Sequence, residues 1–351
     1  MPGRTTGGTA DAAQHGIRQA APDHDLDLDL DVDLDGVAIT VTGAGGFIGG
    51  HVARLAAARA PRRLRLLAHN APVTARPTAT GASGDHAVVR GDLTDPGSLR
   101  GLCDGTDVLI HCASLVGGTA EECEAVNAEG TRALLAEAAR AGVARVVYLS
   151  TASVHGRGPF RAARPGDLPY APQSPTSRSR AEAERAVLDA GGFVLRPHLV
   201  LGTGDRWVVP GLATLSRALG ATVDGWQARL SLVEAGDLAR ALLAVATAPA
   251  GRLTSRVYYA NHPEPVTVEA LLREVAAVAG QEWPTTDLPY ARALERLRAR
   301  GGGAHHLDMV AVDHWFDSEP LWRDTGCAPG PAFPQVLAPH ARWYAEALRR
   351  A

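Results

Sequence analysis

The chain has 351 residues, 46% of them hydrophobic, and carries a formal charge of -3 at pH 7. That length and apolar content suffice for one large α/β domain with a smaller lobe, and so balanced a charge excludes a general nucleic-acid binder. The charge is uneven: residues 1–35 hold eight Asp against two Arg, net -6, so the remainder carries +3. All 35 basic residues are Arg, and Lys is absent. Cys103, Cys112, Cys123 and Cys327 lack metal-ligand spacing and read as reduced, mostly buried thiols, which predicts no metal site and a cytoplasmic chain. With no charged-then-apolar leader and no apolar run of spanning length, neither secretion nor membrane insertion is expected.

Residues 1–35 end in alternating Asp and Leu, a pattern that would suit a strand. A row of aspartates on one face repels itself, so this stretch reads as a disordered, solvated tail. From Val37 to Gly49 an apolar, β-branched run gives way to Gly43, Gly46 and Gly49, and an alanine-rich amphipathic run from Phe47 to Arg59 follows. The pattern is strand, tight turn, helix, the context in which a glycine triplet cradles a dinucleotide. Gly43 permits the sharp turn, Gly46 lets the backbone approach a pyrophosphate, and Gly49 lets the helix pack on the strand. The helix opens at Phe47 and Ile48, with its first N–H groups facing the phosphate charge.

The second strand is predicted over Arg63–Ala68, and the residues just past it meet the adenine ribose in dinucleotide folds. An acid there would bind the 2′-hydroxyl and repel a 2′-phosphate. Instead the chain runs Ala68, His69, Asn70, with Arg54, Arg62, Arg63 and Arg76 nearby in sequence. NADPH is therefore the expected cofactor, with NADH as the alternative, although His69 could equally be an ordinary loop residue. Next come a strand over Ala87–Arg90, a turn over Gly91–Asp95, a short helix from Pro96, and a fourth strand over Asp107–His111 followed by Cys112, Ala113 and Ser114.

Here the chain resembles the extended short-chain dehydrogenases/reductases, in which the pair matching Asp92-Leu93 meets adenine and the turn matching Ala113-Ser114 packs on the cofactor. The resemblance runs on through Val126–Thr131 on a long helix, a strand over Val146–Ser150, and the run Ser150–Gly156. Leu195–Gly202 resembles the family's turn beside the nicotinamide, including Pro197. Arg229–Asp237 resembles its substrate-lobe strand and next helix start, and Tyr258–Thr267 is similar to the 3β-hydroxysteroid dehydrogenase branch. The resemblance covers about residues 36–346. It implies an α/β fold, a Rossmann doubly wound parallel sheet with a smaller C-terminal substrate lobe: a cofactor domain over 36–200, to which segments about 230–255 return, and a lobe mainly over 201–351. It also implies a small-molecule substrate, and a homodimer paired through helices about 121–140 and 176–190.

In that family a serine or threonine, a tyrosine and a lysine handle the carbonyl, the lysine lowering the tyrosine pKa. Thr151 stands at the serine position. The segment matching Tyr-x-x-x-Lys-x-x-x-Glu runs Thr176 to Glu184, so Thr176 stands for tyrosine and Arg180 for lysine. The absence of Lys from the chain explains Arg180 but not Thr176, since six tyrosines survive elsewhere. An aliphatic hydroxyl is too weak an acid to replace a phenol, and Arg keeps its proton. By position, Arg180 is expected at the cofactor ribose and Asn127 at a water or a helix kink. Ser153 and Ser114 could bond the substrate carbonyl or merely cap backbone. His155 and His198 flank the expected nicotinamide site and are either proton donors or hydrogen-bonded wall residues.

Three functions compete: reduction with the proton taken from water, a histidine or the substrate; cofactor binding without turnover, as a regulatory or scaffolding protein; and nucleotide-sugar epimerisation or dehydration, which leans on the missing tyrosine. The lobe offers Trp207, Val208, Val209, Leu212, Leu215, Trp226, Leu288, Tyr290, Met309, Trp315 and Phe316, about half of them expected in its core, with Asp205 and Arg206 at its entrance. Such a lobe suits a flat apolar ligand better than a nucleotide diphosphate. A lysine-free, arginine-rich reductase of this kind resembles the tailoring enzymes of aromatic-polyketide antibiotic pathways.

Overall fold

The computed structural model describes residues 33–75, 85–301 and 303–350. Apolar runs form seven strands: β1 Ala38–Thr42, β2 Arg63–Ala68, β3 Asp85–Arg90, β4 Val108–His111, β5 Arg145–Leu149, β6 Phe193–Arg196 and β7 Val257–Tyr259. They pair in parallel in the order β7-β6-β5-β4-β1-β2-β3. All five residues of β1 are buried, as a central strand covered on both faces requires. The order reverses between β1 and β4, whose last residues, Thr42 and His111, lie in register. Ligands of open α/β sheets bind in the crevice at such a reversal.

Four helices cover this sheet: α1 Phe47–Ala58, α2 Gly130–Arg140, α3 Pro175–Asp189 and α4 Ala235–Thr247. On one face α1 packs on α4, and Val52, Ala56, Leu238 and Leu242 bury against Ile39 and Val41. On the other, Leu134 of α2 and Val187 of α3 bury against Leu109 and Tyr148. Each such aliphatic side chain contributes roughly 1.5–3 kcal/mol by leaving water. Leu34 differs from expectation: it is 1% exposed and belongs to the α1/α4 core, so the solvated stretch ends before it. The cause is a turn in which Val37 N–H donates to Leu34 O over 3.1 Å, directing the leucine inward. The rest of that acidic stretch, residues 1–32, and Arg76 lie outside the described residues.

The lobe is built around a mixed sheet in the order Val266–Thr267, Arg229–Leu230, His314–Phe316, Phe160–Ala163. Phe160–Ala163 comes from between β5 and β6, so the lobe is stitched to the middle of the chain as well as to its later part. Its core holds Val209, Leu212, Leu215 and Trp226, with Val208, Leu288 and Tyr290 packed against them. Met309 and Trp315 are half-buried, and Trp207 stays 65% exposed. Phe316 sits apart, in a cluster with Ala152, Ala163 and Tyr259. Among the described residues no helix is long and apolar enough to cross a membrane.

Candidate active site

The turn between β1 and α1 has the shape of a phosphate cradle. Gly43 has φ +73°, and a Cβ there would lie 2.7 Å from Ala113 N, so conformation and space both demand glycine. A Cβ on Gly49 would lie 2.2 Å from Gly43 O, which corrects the expected helix-on-strand contact: the helix closes on its own preceding turn. Gly46 is the N-cap of α1, which has no side-chain cap and no acid in its first turn. The N–H groups at Phe47 and Ile48 are therefore not claimed by a side chain, and an anion fits there. Gly45 was not singled out from the sequence; its Cβ would meet Ala71 O at 2.6 Å, so it docks the cradle on the segment after β2.

Where β2 and β3 end, His69 Nε2 stands 3.2 Å from Asp92 Oδ2, with Asn70 exposed beside them and Leu93 buried behind. The Thr94 N–H and hydroxyl both donate to Asp92 over 2.8 Å, and with His69 they hold its carboxyl below the usual range. No acid follows β2 directly; the carboxylate at this corner is Asp92, which His69 faces.

A directed chain of hydrogen bonds underlies the end of β4. Thr131 Oγ1 donates to Asn127 O (2.5 Å), so it accepts from His111 Nε2 (2.9 Å); Nδ1 then accepts from Thr42 Oγ1 (2.6 Å), which in turn accepts from Ala113 N–H (3.3 Å). Burial, reinforced by the Arg180 charge, lowers the His111 pKa to about 3, so the ring stays neutral. Asn127 lies in a π-helical segment, Glu124–Glu129, the helix irregularity expected there. Its Oδ1 accepts from Leu115 N–H (2.7 Å) and Ser114 Oγ (3.1 Å), and its Nδ2 donates to Leu115 O (3.0 Å) and Ser179 Oγ (3.0 Å). The Ser114 proton is thus committed to Asn127, leaving only its lone pairs for a ligand.

Thr151 ends the turn after β5, half-buried, and its Oγ1 accepts from Ser153 N–H over 3.2 Å. Its hydroxyl proton is left for an outside acceptor. Ser153 is half-buried in the single helical turn that follows, and Ala152 N–H donates to Pro197 O (2.8 Å), tying the turns after β5 and β6 together. Thr176 Oγ1 accepts from Gly117 N–H over 3.1 Å and stands 3.7 Å from Cys123 Sγ. Arg180 Nη2 donates to Leu149 O (2.5 Å) at the end of β5, while its Nε is buried without a partner. An arginine with an unsatisfied buried donor at the end of β5 fits a cofactor hydroxyl.

The two histidines are held differently, and burial favours the neutral ring in both. Both nitrogens of His155 are engaged, Nδ1 with Pro169 O (2.8 Å) and Nε2 with Tyr259 OH (2.9 Å) and Arg196 (3.2 Å), and burial lowers its pKa. His198 stacks on His314 at 5.5 Å with 12° between the rings, and burial with that neighbour lowers its pKa to about 3. At neutral pH both rings are uncharged, His155 with both nitrogens engaged and His198 less so. Its Nε2 is buried without a partner.

Sequence reasoning missed the polar knot beneath the site. Glu184 pairs with Arg196 inside the protein, accepts from Tyr170 OH, and accepts from Ser150 Oγ over 2.6 Å. Burial and the Glu184 carboxylate push the Tyr170 phenol up to about 12, and its proton is given to Glu184. The signal was an acid and an arginine inside otherwise buried elements, which obliges them to pair. Asp205 is also corrected: expected at the lobe entrance, it is 2% exposed. It accepts from Trp207, Val208 and Val209 N–H (2.8–2.9 Å) and from Tyr344 OH (3.0 Å), because it caps helix Val208–Leu219. The best-formed cavities, ≈ 320 Å³ beside Arg273 and Phe333 and ≈ 340 Å³ beside Trp226 and Tyr290, lie away from Thr151 and the cradle. Hydrogen-bonding chemistry locates this site better than enclosed volume does. All four cysteines are free, and burial pushes the Cys103 and Cys112 thiols up to about 12.

Residues 39–260 match the model of the NAD dependent epimerase/dehydratase family. A 2-alkyl-3-oxoalkanoate reductase from Stenotrophomonas maltophilia is 28% identical over 325 residues, covering 82% of this chain and 94% of that protein. A 3 beta-hydroxysteroid dehydrogenase/Delta 5-->4-isomerase from Mycobacterium tuberculosis is 30% identical over 275 residues, 69% of this chain and 74% of that one. A 4-hydroxy-2-methyl-3-oxo-4-farnesyl-3,4-dihydroquinoline-1-oxide ketoreductase from Stigmatella aurantiaca is 28% identical over 270 residues, with coverage of 73% and 78%. Among solved structures, a Bordetella bronchiseptica enzyme in complex with NAD+ superposes with a TM-score of 0.68 at 20% identity, over 88% of this chain and 98% of that one.

Proposed function

The chain is an oxidoreductase that belongs to the NAD dependent epimerase/dehydratase family, and we propose that within it the protein is an NADPH-dependent ketoreductase of an aromatic polyketide, angucyclinone-type, in antibiotic biosynthesis. One observation carries the reading: Thr151 Oγ1 accepts from Ser153 N–H and keeps its own proton, which a carbonyl oxygen could accept. The names of two relatives, one a 3-oxo acid reductase and one a quinoline ketoreductase, support carbonyl reduction over sugar epimerisation.

Bound NADPH would supply a hydride to the carbonyl carbon. Gly43, Gly46, Gly49 and the N–H groups at Phe47 and Ile48 would hold its pyrophosphate; His69 and Asn70 would face the 2′-phosphate, Asp92 and Leu93 the adenine. Arg180 would meet the nicotinamide ribose, and Ala113, Ser114 and Pro197 would line the ring. Thr151 would orient the carbonyl and stabilise the growing charge on oxygen. The proton on that oxygen would come from a phenol adjacent to the ketone on the substrate itself, which excuses the absent tyrosine. Residues 201–351 would supply most of the ligand's apolar wall. A homodimer would pair the helical stretches over 121–140 and 176–190.

The test is cofactor consumption by purified protein with an angucyclinone ketone, with NADPH and NADH run in parallel and the product followed by mass. The expected result is turnover with NADPH and a mass gain of two hydrogens, lost when the neighbouring phenol is methylated. Tight NADPH binding with no turnover on any ketone or sugar nucleotide would instead favour a regulatory or scaffolding protein.

A further inference from the structure

Thr176 occupies the position at which the family resemblance calls for an acid, yet its hydroxyl faces the segment after β4. It accepts from Gly117 N–H (3.1 Å), while Cys123 Sγ donates to Gly117 O (3.0 Å) and stands 3.7 Å from the same hydroxyl. Two residues earlier, Leu115 is held at both its N–H and its carbonyl by Asn127. The turn is thereby pinned on either side of Val116, with Gly117 and Gly118 at φ +83° and +87°. Pinned in this way, Val116 cannot fold inward and is 48% exposed, one of three large apolar side chains left open among the described residues.

We propose that Thr176 is a positioning residue: it latches the Ser114–Gly118 turn so that Val116 stands out as a fixed apolar ridge against which a flat apolar substrate packs. The substrate half of this inference rests on the ketoreductase reading; the latch does not. An aliphatic hydroxyl suits the task because it accepts from a backbone N–H at short reach. Fixing the ridge before binding removes an ordering cost from the encounter, so the effect belongs in substrate affinity rather than in the hydride step.

The experiment compares the full chain with Thr176→Val, Thr176→Ser and Val116→Asp. Backbone amide exchange at Gly117 reads the latch without any substrate. Thr176→Val is expected to speed that exchange by about tenfold or more, with Thr176→Ser staying within about twofold of the parent. With a turned-over ketone, Thr176→Val should raise its KM by about tenfold and leave kcat within about threefold, while the NADPH KM is unchanged. Val116→Asp should raise the ketone KM with Gly117 still protected. Equal Gly117 exchange in all variants would overturn the latch. A protected Gly117 with kcat lost and KM unchanged in Thr176→Val would place residue 176 in proton transfer and overturn the positioning role. If the parent turns over no ketone, the functional reading fails while the exchange data still decide the latch.

Discussion

At the scale of single residues the site separates hydroxyls whose protons are spent from Thr151, whose proton is not. Ser114 gives its proton to Asn127, Thr131 to the Asn127 carbonyl and Ser150 to Glu184, whereas Thr151 accepts from Ser153 N–H and keeps its own. Thr151→Val is therefore expected to lower kcat by roughly 10²–10³, the loss typical of a missing oxyanion donor, while Thr151→Ser stays near the parent. Saturating NADPH and a competent ketone would measure it, and an active Thr151→Val would sink the assignment. Cofactor choice is equally local. His69→Asp would place a second carboxylate near Asp92, at the end of β2, and should shift preference from NADPH to NADH by about tenfold or more, read from paired KM values. An unchanged ratio would mean that the 2′-phosphate does not reach this corner.

At the scale of elements, the cap of helix Val208–Leu219 shows how much one buried carboxylate can organise. Asp205→Ala strips three N–H acceptors and the partner of Tyr344, and should cost about 2–3 kcal/mol in urea unfolding. Because Tyr344→Phe breaks the same cluster, the double variant should cost less than the sum; strict additivity would show the groups to be independent. Burial raises the Asp205 pKa even against those bonds; the acid looked solvent-facing in sequence because its partner Tyr344 lies 139 residues further on. Local signals made much of the cofactor side legible: apolar runs marked β1 to β4 and glycines marked the turn, while the family resemblance supplied β5 and put α3 within a residue of Pro175–Asp189. Two features had no local signal. The π-helical segment at Glu124–Glu129 adds one residue to a turn without changing composition. The pairing of His314–Phe316 with Phe160–Ala163 joins short strands about 150 residues apart, whose register depends on everything folded between them. For the same reason His155 looked open to chemistry until Arg196 and Tyr259 were brought against it.

For the whole molecule, buried neutral histidines set the response to acid. Burial lowers His51 to about 4, and His111 and His198 to about 3, from an ordinary value of 6.5. Below pH 6.5 the unfolded chain takes up protons that the folded chain refuses. Stability is therefore full above 6.5 and falls as pH drops toward 4, by about 1.4 kcal/mol per pH unit for each such histidine. Asp324, held down at about 2 chiefly by Thr254 and Tyr258 against the opposing effect of burial, adds a loss only below the ordinary carboxylate range. Calorimetric melts at pH 7.5, 6 and 5 should show a falling Tm, and a level or rising Tm would contradict the burial of these rings.

His51 also marks a dependence that runs backwards along the chain. It bonds Thr203 O (2.9 Å); Thr203 N–H donates to His340 Nδ1 (3.2 Å); and His340 Nε2 faces Glu234 (3.3 Å), the N-cap of α4. Tyr344 closes the same corner by bonding Gly202 N–H (2.7 Å). A ribosome makes the glycine cradle and α1 some three hundred residues before it makes the groups that brace them. The nascent chain can pack α1 on α4 once residue 247 is made, but the brace through His340 and Tyr344 waits for the end of synthesis. A message cut short of that segment would yield a chain with its glycine turn and α1 complete and this last brace missing.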